Sequence, residues 1–524
     1  MQCSYPKAKR NNTITYSFSF TVKFFFSLLV FLLMSSCEDF LERDPLDQIT
    51  TANFYQTPEN AIAGVNAAYT PLYLLYQESR MWTFDFMGDD ADKAGGGPGD
   101  RAFVTQLISF EFQTNNEVLY DIWRFGYRGV YYANVAIEKI SGDDIEMDDQ
   151  LRERLLGESY YLRGLYHFFL VRIFGDIPLY TAVPDPNDLH VSRTPKELVY
   201  QQIIEDLELA GSKLHAIPLS NEKGRATKGS AYGMLARVHL TLENWQECID
   251  ACNEVHDIGY HILMPDYKDL FNRISNENNP ESLFEIQFKY DEVARYGGSG
   301  NMIPEFIAPR YGSRFANSGW GWGGATQAYI DLFDAEDLRK PVILLSPGDS
   351  VQMPNGNYWV YDPDNIQGLE HNPTNTYFRK LFDYGYIDNV TGMMMNSSIN
   401  HYIQRYTDVV LMHAEALNEL GNQSQALDYL NQIRERAFGN SNHNYSNLSQ
   451  DEIREAIFIE RRIEFVMEQN RWYDIVRKGP DIAEQILHAA GKESFDKNIH
   501  LIFPIPQREI DLNPNLLPQN PGYD

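Results

Sequence analysis

The chain has 524 residues, 43% of them hydrophobic and 13% aromatic, enough to bury a large core in one domain or in two intimately packed ones. Its 73 acidic residues outnumber 44 basic ones and give a formal charge of −29. A surface of that sign repels polyanions and offers no basic footprint, so no nucleic-acid partner is expected.

Lys7, Lys9, Arg10 and Lys23 precede an eleven-residue apolar run, Phe24 to Met34, too short to span a bilayer as a helix and suited to the core of a signal peptide. Residues 1–36 are therefore expected to be removed on export. Ser35-Ser36-Cys37 resembles the lipobox at which bacterial lipoproteins are cleaved and acylated, with Met34 where that motif more often carries Leu. It predicts lipidation of Cys37, with a plain secretory signal or an uncleaved anchor as the alternatives. Glu38 and Asp39 follow directly, a pattern similar to the surface-export signal of Bacteroidetes lipoproteins. The expected location is the cell outer membrane, lipid-anchored and surface-exposed. Loss of four basic residues and no acidic one would take the charge from −29 to −33. Acyl chains anchor by burying methylenes at about 0.8 kcal/mol each, so no transmembrane helix is required.

Apolar residues recur at three- and four-residue steps from Glu59 to Tyr76, Glu117 to Ile140 and Leu151 to Phe174, which predicts a mainly helical fold. Gly175-Asp176-Ile177-Pro178 reads as a helix stop. Further on, ARVHLTLENWQECIDACNEV from Ala236 aligns without a gap with AEALNELGNQSQALDYLNQI from Ala414, an offset of 178. Both read as a helix, a short polar turn and a second amphipathic helix. They look like tetratricopeptide repeats, with degenerate copies near 117–174 and 195–214. Cys248 and Cys252 share a helical face but stand too far apart for a disulfide, and no further ligand at metal spacing accompanies them, so they are expected as buried small hydrophobes. Strand signals are short: SLFEIQF (282–288) alternates, and HLIFPIP (500–506) carries prolines that suit an edge. Arg461, Arg462, Glu464, Arg471 and Asp474 sit at helical spacings and are expected to pin one helix to its neighbour by ion pairs.

Five stretches in order along the chain, RGLYHFFLVRIFGDIPLY (163–180), RATKGSAYGMLARVHL (225–240), RYTDVVLMHAEALNELG (405–421), RRIEFVMEQNRWYDIVRKG (461–479) and FPIPQREIDLNPNLLPQNPGY (503–523), resemble the signature blocks of the SusD/RagB family of nutrient-binding lipoproteins. The resemblance implies a mainly α fold, tetratricopeptide-like helical repeats packed on an irregular, loop-rich ligand-binding half with a few short strands. It implies a single domain over 37–524, with an N-terminal family part over about 37–240 and a C-terminal part over about 280–524. It also implies a SusC-like TonB-dependent transporter as partner, over which such a protein sits as a hinged lid that captures a glycan without transforming it.

Function is expected where the sequence is irregular: in YLLYQESRMWTFDFMGDDADKAGGGPGD (73–100) and in RYGGSGNMIPEFIAPRYGSRFANSGWGWGG (295–324). A pyranose presents polarised C–H bonds that stack on indole or phenol rings, and its hydroxyls need carboxylate or amide partners. Trp320 and Trp322, flanked by glycines, are the leading candidates for an oligosaccharide platform, one stacking on ligand and the other structural; Trp82, Tyr311, Asp89 and Asp90 are further candidate contacts. Gly319, Gly321 and Gly324 formally satisfy G-x-G-x-x-G, but no strand precedes them and indoles fill the gaps, so a nucleotide site is not expected. Asp90 to Gly95 begins like a calcium loop and then fails at its fifth and twelfth positions, Ala94 and Arg101, leaving at most a divalent ion such as calcium in some other arrangement; no cofactor is expected. The alternatives are a surface glycoside hydrolase, which needs two carboxylates across one cleft, and a repeat scaffold that binds protein or peptide. No G-x-S-x-G or H-E-x-x-H occurs.

Overall fold

The nine described helices of 13 or more residues follow the apolar periodicity of the sequence. They are α1 (Pro58–Gln77), α2 (Glu117–Ser141), α3 (Asp149–Phe174), α4 (Lys196–Lys213), α5 (Lys228–Thr241), α6 (Trp245–Asp257), α7 (Tyr406–Glu419), α8 (Gln423–Phe438) and α9 (Gln450–Glu464). This computed structural model describes residues 54–523 apart from 79, 186, 188, 272–275, 290–297, 311–318, 353–357, 367–368 and 382–395. Cys37 and the leader lie outside the described residues. By compactness the chain divides into Met1–Gln56 and Thr57–Asp524, and all nine helices belong to the second unit.

Side chains close the helix ends that the backbone leaves unpaired. Asn116 accepts from the amides of Val118 and Leu119 at 3.0 and 3.4 Å to start α2, and Asp148 does the same for α3. Thr227 with Ser230, and Ser449 with Glu452, form capping boxes at α5 and α9. Gly175 stops α3 at φ +72°, as its sequence context predicts.

Helices α2 to α8 pack each on the next, so they form one continuous array. The 178-residue repeat is reproduced in the boundaries: α5 ends at Thr241 and α6 begins at Trp245, while α7 ends at Glu419 and α8 begins at Gln423. The two hairpins adjoin, α6 packing on α7. Cys248 and Cys252 are buried, unbridged thiols between them, Cys252 Sγ lying 3.6 Å from the Val409 carbonyl oxygen.

The other half is held by short antiparallel strands: β1 (Ala91–Lys93), β2 (Ser282–Ile286), β3 (Gly323–Ala325), β4 (Leu344–Leu345), β5 (Ser350–Gln352), β6 (Tyr358–Val360), β7 (Tyr377–Phe378) and β8 (His401–Arg405). Four of them form a sheet in the order β1-β3-β7-β4, and β2–β8 and β5–β6 are separate pairs. Strand β2 lies where the alternation in SLFEIQF places it, but all five of its residues are buried, because α1 and α5 cover it; Glu285 survives there by accepting from Asn400 Nδ2 at 3.0 Å. HLIFPIP is not a strand. Pro504 and Pro506 supply no donors, and the Phe503 and Ile505 amides go to the Ile173 carbonyl and the Gln519 side chain, both at 2.8 Å.

A buried ion-pair network joins the array to this irregular half. Arg405, at the end of β8, donates to Glu281, Glu464 and Glu468 at 2.8–2.9 Å. Arg436 of α8 reaches Glu281 and Glu464 at 2.8 and 2.7 Å, and Arg339 reaches Glu464 at 3.1 Å. Asp408 of α7 binds Arg237 of α5 and Arg461 of α9, each at 2.8 Å, and Arg461 continues to Asp474. The charged run at 461–474 is structural, as its spacing predicts, though its partners come mostly from elsewhere in the chain. Burial pushes Glu464 up, but Arg436, Arg405 and Arg339 hold it well below the ordinary carboxylate range; burial is likewise outweighed at Asp408 by Arg237 and Arg461.

Removing one partner from such a network leaves buried charge uncompensated. Arg405→Met should therefore cost about 3–5 kcal/mol, read by urea unfolding, against about 0.2–1 kcal/mol for Arg454→Ala at the more exposed Glu419 pair. The pH profile follows from the signs. Buried Asp85 is pushed up to about 7, so its own contribution grows on mild acidification, but burial pushes His167 down to about 3 and His413 to about 4, and their contribution is lost as pH falls below the ordinary histidine value of 6.5. Glu464 and Asp408 are depressed, so their contribution is complete above their ordinary values of 4.5 and 3.8 and is lost as pH falls through that range. Thermal melts between pH 3 and 8 should therefore be highest near neutral pH and decline as pH falls toward 3.

Candidate functional site

The two long irregular stretches of sequence meet. Strand β1 pairs with β3 in the register Ala91↔Ala325 and Lys93↔Gly323, which brings the glycine-rich loop after β1 against the tryptophan loop before β3. Gly95, at φ +69°, is the point of closest approach: a Cβ there would stand 2.6 Å from both Trp322 Cδ1 and the Trp320 carbonyl oxygen. The tryptophan loop is tied down by its own backbone. The amides of Trp320, Gly321 and Trp322 donate to the carbonyls of Glu305, Ala308 and Phe306 at 3.0, 2.7 and 2.8 Å. Amides committed in this way cannot cradle a phosphate, which removes the G-x-G-x-x-G reading on geometric grounds.

Five aromatic rings form a cluster beneath the loop. Phe306 stacks on Trp82 and on Trp322 with centroids 5.5 and 5.2 Å apart, Trp82 meets Phe86 edge to face at 5.2 Å, and Trp320 meets Phe306 edge to face at 4.8 Å. Trp82 and Trp322 are fully buried, which corrects the expectation that Trp82 offers a ring to ligand and makes Trp322 the structural member of the Trp320–Trp322 pair. The glycines beside these indoles let the backbone fold down over them instead of lifting them out. Trp322 is fixed further by Nε1 donating to Asp100 at 2.8 Å and by the Lys93 ammonium 4.6 Å above its ring. Trp320 is half-buried at the outer end of the cluster and is the candidate indole that reaches solvent. Tyr311 lies outside the described residues.

Asp89 and Asp90 are also corrected. Both are buried: Asp89 accepts from Arg471 Nε at 2.7 Å and Arg462 at 3.0 Å, and Asp90 pairs with Arg462. Burial and the neighbouring Asp89 charge push Asp90 up to about 6. Two carboxylates and two guanidiniums thus latch the start of the loop to α9 and to the short helix Arg471–Val476, and both carboxylates are engaged by arginine. Asp90, the first position of the calcium-like stretch, is committed to arginine.

The residues that surround Trp320 were not among the candidates read from sequence. The Arg101 guanidinium lies 5.9 Å from the Trp320 ring centroid and 5.5 Å from that of Phe306, and pairs with Glu78 at 3.3 Å. Its backbone adopts φ +53°, a strained conformation for a residue with a Cβ. On the other side of the glycine loop a cleft of about 390 Å³ is lined by Asp92, Lys93, Glu370 and His371 among others. His371 rests against Gly97, where a Cβ would stand 2.9 Å from its Nε2. The sequence signal for Lys93, Asp100 and Arg101 was their place in or beside the GGGPG run; Glu370 and His371 carried none. A ring backed by packed aromatics, with charged donors and acceptors at its margin, is suited to holding a sugar face while pairing its hydroxyls.

Comparison with known proteins gives this geometry a family. The sequence pattern of the SusD family matches residues 280–523, and that described as "Starch-binding associating with outer membrane" matches 39–240. SusD-like protein P2 of Formosa agariphila is 30% identical over 95% of this chain and 98% of its own. A solved laminarin-binding SusD-like protein is 26% identical, with a TM-score of 0.75 over 89% of this chain and 99% of that one. The surface glycan-binding protein A of Bacteroides fluxus is 25% identical, with a TM-score of 0.73 over 89% of this chain and 99% of its own. By sequence pattern, relatives and fold alike, the chain belongs to the SusD family, whose members bind glycans at the outer-membrane surface and do not catalyse their turnover.

Proposed function

We propose that this chain captures an oligosaccharide by stacking it on Trp320 and delivers it to a SusC-like TonB-dependent transporter, held at the outer membrane by acyl chains on Cys37. The observation that carries the reading is the placement of one half-buried indole over a packed aromatic cluster, with Arg101 and Glu78 at its margin. The ring is already immobilised, so binding costs little side-chain entropy. A stacked ring contributes about 0.5–1.5 kcal/mol beyond the area it buries, which with a few hydrogen bonds gives affinities from about micromolar to about millimolar for the isolated protein. Laminarin is the first ligand to try, because the 26%-identical relative is a laminarin-binding protein. Tyr311 remains a candidate second ring on sequence grounds alone.

In native gels impregnated with laminarin or other polysaccharides, the wild-type protein should be retarded by at least one, and Trp320→Ala should migrate as in a blank gel while keeping its urea midpoint. Trp322→Ala should behave differently, losing about 3–5 kcal/mol of stability because it empties a space in the core. Release of reducing sugar by the pure protein would overturn the reading.

For the anchor, Cys37→Ser expressed in the native host should shift the protein from the detergent-rich to the aqueous phase on detergent partitioning. Unchanged partitioning would remove Cys37 from the mechanism.

A further inference from the structure

A second aromatic surface lies apart from Trp320, in a groove of about 540 Å³ between α2, the segment after α3 and the C-terminal helix Gln507–Leu512. That volume is within the range of small-molecule sites, about 300–1,000 Å³. Trp123 and Tyr127 pack at 4.8 Å, and Tyr180 stands perpendicular to Tyr127 at 5.8 Å. The Tyr127 hydroxyl is spent on the Pro178 carbonyl at 2.9 Å, which fixes its ring. Tyr131, one helical turn beyond Tyr127 on the same face of α2, is 41% exposed. Glu509 brings a half-buried carboxyl to the same groove; burial pushes it up, with the Trp123 side chain as its hydrogen-bond donor.

The groove is not isolated from the Trp320 site. Arg101, beside Trp320, pairs with Glu78 at 3.3 Å; Glu78 lies 3.9 Å from Arg80; Arg80 binds Asp121 at 2.8 Å; and Asp121 binds Arg124 at 2.7 Å. Arg124 lines the groove. Each of these side chains keeps between 13 and 41% of its surface in solvent. Two aromatic ends are thus joined by a track of partly exposed donors and acceptors.

We propose that the groove is a second saccharide subsite, which holds a distant part of the same glycan chain that stacks on Trp320. The inference rests on the glycan-capture reading above. A hydroxyl-bearing chain can pair with the charged track along its whole length, whereas an apolar peptide crossing it would strip water from five charged groups and offer only its backbone in return. Tyr131 supplies the open ring face, Tyr180 and Tyr127 the wall, and Glu509 an acceptor for ring hydroxyls.

The test uses the polysaccharide that retards the wild-type protein and a ladder of its oligosaccharides, with affinities measured by calorimetry. Tyr131→Ala should weaken the polysaccharide and long oligosaccharides roughly three- to tenfold and leave the shortest binding ones unchanged, and Glu509→Gln, which preserves shape, should act in the same length-dependent way. Trp320→Ala should weaken every length. If Trp320→Ala weakens binding while Tyr131→Ala and Glu509→Gln stay within twofold of wild type at all lengths, the subsite is wrong and the capture site stands. A loss for Tyr131→Ala that is equal at every length also overturns it, as does a groove that proves to hold a protein partner while glycan affinity is untouched. If the wild-type protein binds no saccharide, the capture reading falls first and the subsite with it.

Discussion

The position of the candidate site depends on arginines that lie inside the protein. Glu464 receives Arg405, Arg436 and Arg339, which come from the end of a strand, from the helical array and from the irregular half. Replacing buried pairs by apolar side chains is often neutral or stabilising, so net energy alone does not account for such a network. Its physical consequence is selectivity. Each guanidinium must find carboxylates on a different segment, and only one docking of the array against the loops satisfies them all. The Asp89–Asp90 latch extends the same logic to the site: Arg462 and Arg471 fix where residue 90 lies, β1 begins at residue 91, and β1 sets the register of the tryptophan loop. The Trp320 ring is aimed by ion pairs that never touch it.

The aromatic cluster divides its labour by depth. Trp82, Phe306 and Trp322 pack against one another and behave as core, while Trp320 stands nearly perpendicular to Phe306 and Trp322. An indole held against packed neighbours has little side-chain freedom left to lose. The same indole at the tip of an unsupported loop would have to be ordered on binding, at a cost of about 0.5–1.5 kcal/mol for the side chain alone. Burying three rings thus gives the fourth, Trp320, a rigid support.

What could be read from the sequence divides along the same physical lines. Helix α2 appears at Glu117 to Ser141 where apolar periodicity ran from Glu117 to Ile140, and the 178-residue repeat reappears at the helix ends, because a local period and a local polar turn suffice to set both. The adjoining loops were also identified as regions, since thirty residues without periodicity but rich in aromatics are visible in one dimension. Orientation was not visible. Trp82, Trp320 and Trp322 occur in similar polar or glycine-rich settings, and what separates them is the position of Phe306 in three dimensions. Asp89 and Asp90 resembled solvent-facing acids because their partners, Arg462 and Arg471, stand more than 370 residues further along. Glu78 and Arg101 matter through a pairing that only the folded chain creates.

The use of arginine inside the protein also shapes what can be bound outside. The formal charge of −29 counts Arg237, Arg339, Arg405, Arg436, Arg461 and Arg471 as if their fields reached solvent, but each is buried against carboxylates. The partly exposed Arg101 beside Trp320 and the exposed Arg124 at the second groove are likewise paired, with Glu78 and Asp121. A polyanionic glycan approaching this surface would meet neutralised guanidiniums within a strongly acidic field, and its charge would oppose binding at long range. What remains attractive is stacking of C–H faces on an indole and hydroxyl pairing with charges already compensated. Both contacts are short-ranged and little affected by salt, and they would suit an uncharged, hydroxyl-rich chain at the proposed site.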